Sequence, residues 1–196
     1  MANKKYDFAC NVSEGRLVAC RDVVGGVKAI YLITYAANFL STLAKASNEL
    51  TDANSAHTFF KYDLRQGTTG FNANVTGDNA TGTTFYEQTL EVVLQKIVKE
   101  DIPNLDNIIK GRCQIFVLDN NDNCFLIGAE HGATCTAGAM SLGTAKGDLS
   151  GFTLTFTAQE KENYIVKQSA GEGTAGYPFD AWTSNVPTIT AGTTPV

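Results

Sequence analysis

Alternation of apolar and polar positions dominates the chain. In GFTLTFTAQEK (residues 151–161), Phe152, Leu154 and Phe156 alternate with Thr153, Thr155 and Thr157. A period of two predicts a strand with one dry face and one hydroxyl face. In GFNANVT (70–76), Phe71, Ala73 and Val75 face one way, and Asn72, Asn74 and Thr76 the other. The following GDNATG, with Gly77, Asp78, Asn79 and Gly82, suits a turn that needs positive φ. The return run TTFYEQTLEVVLQK (83–96) sets Tyr86, Leu90, Val92 and Leu94 against Thr83, Glu87, Thr89, Glu91 and Gln95. Its Glu, Leu and Gln would also suit a helix, but strict alternation and β-branched content favour a long strand.

Elsewhere the pattern is less regular. Residues 15–34 hold two β-like runs around the Gly25 and Gly26 pair, which suits a turn or bulge. In residues 35–56, Phe39, Leu40, Leu43 and Ala46 keep a helical spacing and predict a short amphipathic helix. TFFKYDL (58–64) predicts a short strand. Glu100, Asp101, Ile102 and Pro103 open the best helix: an acidic first turn, an early proline, then Leu105, Ile108 and Ile109 on one stripe, with Gly111 as a C′ stop. GRCQIFVLDNNDNCFLIGAE (111–130) predicts a hairpin around Asp119, Asn120, Asn121 and Asp122, and a glycine-rich stretch leads from it to the last strand. Beyond Gln159 periodicity lapses. The C-terminal segment holds three of the four prolines and the only Trp. The expectation is a single domain over 1–168 and a Gly/Thr/Pro-rich arm over 169–196. The fold class is mainly β: an all-β sandwich or partly open barrel with one helix outside.

Composition narrows the function. A chain of 196 residues can bury one proper core. It is 43% hydrophobic but only 18% charged, which fits a β-rich body with an uncharged polar surface. The net charge of −5 argues against a general DNA-binding module, which needs a basic stripe. It does not argue against DNA that must pass without sticking. The five cysteines, Cys10, Cys20, Cys113, Cys124 and Cys135, are odd in number and include no CxxC. They read as free thiols in a reducing cell rather than a zinc site or disulfide framework. The lysines near the N-terminus have no apolar run behind them and nowhere do 18 apolar residues stand together, so neither a signal peptide nor a membrane span is expected. The protein is expected to be soluble and made inside a cell, with the sequons at Asn11, Asn74 and Asn79 as chance matches.

Candidate chemistry is sparse. DNNDN (119–123) starts like a calcium loop, but Cys124 stands where the loop's central glycine belongs, and the flanks are strand-like. A hairpin turn is the expectation. His57 and His131 have no partner at a metal-ligand spacing and read as surface or loop histidines. Lys146 lacks the hydroxyl that follows a P-loop lysine, and there is no GxSxG. Glu87 and Glu91 lie about 13 Å apart by strand rise, too far for a glycosidase pair but suited to an acidic row along a surface. No catalytic residue, cofactor site or metal site is assigned.

Three stretches carry a resemblance: CRDVVGGVKAIYL (20–32), then GTTFYEQTLEVVLQK (82–96) with its helix and GRCQIFVLDNNDNCFLIG (111–128), then GTAKGDLSGFTLTFTAQEK (143–161). In that order they resemble tail tube-type structural proteins of tailed bacteriophages, particularly those of Bacteroidetes-like hosts. Residues 35–56 and the C-terminus depart from the pattern. The resemblance implies an antiparallel β-sandwich or half-barrel with one flanking helix. It also implies assembly into homohexameric stacked rings, contact with other tail proteins, and a channel through which DNA leaves without specific binding. The setting implied is the virion tail, assembled in the host bacterial cytoplasm, with no membrane insertion. A DNA-conducting lumen should be hydrophilic and neutral or acidic. Asn72, Asn74, Thr76, Glu87, Thr89 and Glu91, together with Thr153, Thr155 and Thr157, are therefore the expected channel-lining residues. Tyr177, Phe179 and Trp182 are the expected inter-subunit anchors, ordered only against a neighbouring subunit. Other readings stay open: another virion ring or connector, a capsid decoration protein, or a carbohydrate-binding β-sandwich using those three aromatics.

Overall fold

The computed structural model describes residues 15–16, 21–65, 67–168 and 172–192. Cys10 and Cys20, and part of the first β-like run, lie outside the described residues. In chain order the elements are β1 (Val27–Thr34), a 3-10 turn (Phe39–Thr42), β2 (Leu43–Ala46), β3 (Glu49–Ala53), β4 (Thr58–Asp63), β5 (Gly70–Asp78) and β6 (Thr83–Gln95). Then come α1 (Asp101–Lys110), β7 (Arg112–Asp119), β8 (Cys124–Ile127), β9 (Ala133–Ser141), β10 (Gly151–Glu160), β11 (Tyr164–Val166) and β12 (Thr188–Ala191).

Among the described residues the fold is mainly β with one α-helix, and the strands form one open sheet. That sheet is mixed, not purely antiparallel as the resemblance implied. β11 runs parallel to β3 and β12 parallel to β4, while the other pairings are antiparallel.

β7 is the centre of the sheet. β1 lies on one edge, and β8 and β9 share the other. Its run from Cys113 to Leu118 is buried on both faces, which explains why it reads as nearly continuous apolar sequence. Phe116 and Leu118 join Ala29 and Tyr31 in one core; Cys113, Ile115 and Val117 join Ile30 and Leu32 in a second core on the opposite face. The first is closed by Leu50, Ala53, Tyr164 and Val166 of β3 and β11. The second is closed by Leu90 and Val92 of β6, by Leu154 and Phe156 of β10, and by Leu105 of α1. Gln114, fully buried between them, accepts from the Ala36 backbone N–H and donates to the Ala36 carbonyl, so its desolvation is offset on both sides.

Two expectations are corrected and one is refined. Residues 35–56 hold no α-helix: the 3-10 turn buries Phe39, and β2 and β3 then form a hairpin through Ser47, which has φ +55°. The helical spacing of Phe39 and Leu43 arises because the turn delivers both to the first core. Gly111 stops α1 as expected, but in an extended conformation (φ −95°) rather than the left-handed one usual for a C′ glycine. The C-terminal segment is no detached arm. β12 pairs with β4, and Phe179 and Trp182 are fully buried in the first core, in contact distance of Phe59 and Phe116 (ring centroids 4.8 to 6.3 Å apart). Tyr177 packs at the edge of that core, and its hydroxyl donates to Asp122 Oδ1 at 2.6 Å. Order in this segment comes from its own subunit, because aromatic burial needs no sequence period.

Candidate functional site

The opening strands of the second core present their other side to the surface. β5, β6, β10 and β9 form four consecutive antiparallel strands. The register aligns their polar residues in rows. Gly70, Glu91, Thr155 and Ala137 form one; Asn72, Thr89, Thr157 and Thr134 the next; Asn74, Glu87 and Gln159 a third. Thr76 follows at the hairpin end, opposite Phe85. Thr153, Thr155 and Thr157, half-buried by their neighbours, stand between Phe152, Leu154 and Phe156, which turn into the core. The six residues selected from β5 and β6 thus share a single face with the threonines of β10. Five of them are exposed, and Thr89 is half-buried.

The electrostatics of this face follow from what is missing. β5, β6, β9 and β10 contain no Lys and no Arg, although the chain has 15. Glu87 and Glu91 supply negative charge one row either side of Thr89, and hydroxyl and amide groups fill the remainder. Such a face hydrates well and offers no cation to phosphate.

Register depends on a residue that alternation alone did not flag. Gln88 stands among the core-facing positions of β6 and is 1% exposed. Its Oε1 accepts from the Gly128 N–H (3.0 Å), and its Nε2 donates to Asn163 Oδ1 (2.7 Å). It ties β6 to the corner after β8 and to the β10–β11 turn. A slip of one residue would carry Glu87 or Thr89 into this dry position and Leu90 onto the polar face.

The four-strand face has two unpaired margins among the described residues: the outer side of β5, and β9 beyond Thr134, where its pairing with β7 stops. β9 is built of small residues and is exposed along most of its length.

Other candidates resolve into structural roles. The Asp119 carboxylate accepts from Asn121 N (2.9 Å), Asn123 N (2.6 Å) and Asn123 Nδ2 (2.9 Å), closing the β7–β8 turn; Asn121 in turn binds both the N–H and the carbonyl of Val24. His57 stacks on Phe59, and its Nε2 lies 2.9 Å from Thr42 Oγ1; burial pushes its imidazole below the ordinary value. A groove of about 530 Å³ runs past Val93, Gln95 and Asp148. There the Asp148 carboxylate is held low by the backbone N–H groups of Ala145 and Thr144, which it accepts. Burial raises Cys113 to about 12, and Cys124 is pushed up for the same reason.

In comparisons with protein-family models, curated proteins and solved structures, nothing matches this chain.

Proposed function

We propose that this chain is a tail tube-type structural subunit of a tailed bacteriophage, stacking as homo-oligomeric, hexameric rings whose lumen conducts DNA. The observation that carries the reading is the four-strand polar face: contiguous, hydroxyl- and amide-rich, bearing two glutamates, and made from strands without a single Lys or Arg. DNA held by cations would release counterions and stall; a neutral to acidic wall gives it no such trap.

The strand directions support closure. β5 to β6, β6 to β10 and β10 to β9 are each antiparallel, so the β5 and β9 margins run in opposite directions. Two copies related by rotation about an axis along the strands would bring β5 of one beside β9 of the next as another antiparallel pair, with both polar faces on the same side. Ring closure of this heterologous kind consumes both open margins, which otherwise invite uncontrolled pairing. In this assembly Glu87 and Glu91 recur in every subunit as an acidic belt around the lumen.

Negative-stain microscopy of the purified protein across a concentration series tests the proposal. Rings or tubes with a central channel are expected. Monomers at every concentration and ionic strength, confirmed by sedimentation, would overturn it.

A further inference from the structure

Away from the polar face, the fold brings a distant carboxylate to a pair of neighbouring side chains. Gly128, at φ +68°, turns the chain sharply after β8; a Cβ there would lie 2.4 Å from the Ala133 backbone nitrogen. The corner that follows displays Glu130 and His131. It is braced by the Tyr35 hydroxyl, which donates to the Glu130 carbonyl (3.0 Å), and by Arg112 Nη1, which donates to the His131 carbonyl (3.2 Å).

Glu160, the last residue of β10, reaches this corner from 29 positions beyond His131 and is only 2% exposed. Its Oε1 accepts from the backbone N–H of His131 (2.9 Å) and of Glu130 (3.1 Å). Those bonds fix the carboxylate and occupy one oxygen. The other, Oε2, has no partner outside the cluster among the described residues and faces His131 Nδ1 at 3.3 Å. One ligand atom from each of Glu130, His131 and Glu160 lies within 4.8 Å of the others. Negative charge concentrates here: burial, then the bond and charge of Glu162 and the charges of Glu130 and Glu160, push the Tyr164 phenol above its ordinary value.

We propose that Glu130, His131 and Glu160 form a binding site for one divalent transition cation of the zinc class. One imidazole and two carboxylates are donors that zinc accepts, and imidazole disfavours magnesium and calcium. Tetrahedral bonds of about 2.1 Å place donors about 3.4 Å apart, so the set must contract slightly. Glu160 is the fixed arm. Glu130 and His131, both exposed, rotate onto the ion, and water fills the open position. The ion takes the place between Oε2 and Nδ1, compensating a buried carboxylate whose Oε2 otherwise meets only the His131 imidazole among the described residues. This site does not depend on the tube assignment.

The test is calorimetric titration of the purified full chain with ZnCl2, with CaCl2 and MgCl2 in parallel. One zinc per chain is expected, with neither alkaline-earth ion bound at comparable concentration. His131→Ala and Glu130→Gln, exposed changes that leave the Glu160 bonds to the backbone in place, should each weaken zinc at least tenfold while leaving the circular dichroism spectrum unchanged. Cobalt in place of zinc should show d–d absorption without a sulfur-to-metal charge-transfer band. No zinc uptake, unchanged affinity in His131→Ala, or a thiolate band placing the ion at the cysteines would each overturn the proposal.

Discussion

Thr157 of β10 lies directly across from Thr89 of β6. Thr89 lies in turn across from Asn72 of β5, so a row of uncharged polar side chains crosses three strands with a glutamate row on either side. The pleat makes this arrangement obligatory once Leu90 and Phe156 are buried on the other face.

That relationship sets the first expectation. Replacing both Glu87 and Glu91 by lysine should leave the subunit fold within about 0.5 kcal/mol of the native protein, because both positions are exposed. Assembled rings should then bind duplex DNA, with affinity that falls steeply as salt rises. Fluorescence anisotropy with a labelled duplex at low and moderate salt measures this. Rings of the double variant that ignore DNA would show that these residues do not face the lumen.

Burial of the C-terminal aromatics sets the second. Trp182→Ala or Phe179→Ala should cost about 3–5 kcal/mol, the range for deleting a buried aromatic from a packed core. Truncation after Gln168 should unfold the subunit rather than merely loosen an assembly, since it removes both rings and β12 together. Urea denaturation of each variant decides it. A truncated chain with native stability would return the segment to the role of a detachable arm.

Gln88 gives a sharper contrast. Gln88→Leu leaves the Gly128 N–H without its acceptor and the Asn163 amide oxygen without its donor, and should cost about 1–3 kcal/mol. Its neighbour Glu87→Gln, on the wet face, should be close to neutral. Equal effects of the two changes, by the same denaturation assay, would mean that Gln88 is not the clamp described.

Acid sensitivity follows from His57. Burial holds its imidazole below the ordinary value of 6.5, so the unfolded chain takes up the proton first as pH falls. The stabilising contribution is complete above 6.5 and is lost progressively as pH drops from there through the folded value. His57→Gln should flatten that part of the stability profile. A wild-type profile already flat between neutral pH and the carboxylate range would contradict the assignment. At lower pH, Asp52 adds a shift in the same direction from a different cause: the Ser184 hydroxyl, then the backbone N–H groups of Ala53 and Ser184, favour its charged carboxylate and hold it below the ordinary value, so its contribution disappears on protonation.

The parts of the fold legible in the sequence are those with a local cause. β6 and β10 announce themselves because one face is dry and the other wet, and the β7–β8 turn because Asp119 closes it with its own carboxylate. The polar face could be read for the same reason. β9 could not: its Ala, Gly and Ser residues bear no apolar alternation, and its strand form is imposed by pairing with β10. The C-terminal segment is not legible, because Phe179 and Trp182 fill a core built by distant strands, without any period of their own. Gln88 hid among apolar positions, since only a partner 40 residues away explains it. The Glu130, His131 and Glu160 group was equally invisible, because no local spacing links β10 to the corner after β8.

The parallel pairing of β12 with β4 has a consequence for the order of events during synthesis. The first core lacks two of its largest side chains until Trp182 has emerged from the ribosome, however long β1 to β11 have been exposed. A nascent chain therefore cannot reach its native state piece by piece from the N-terminus.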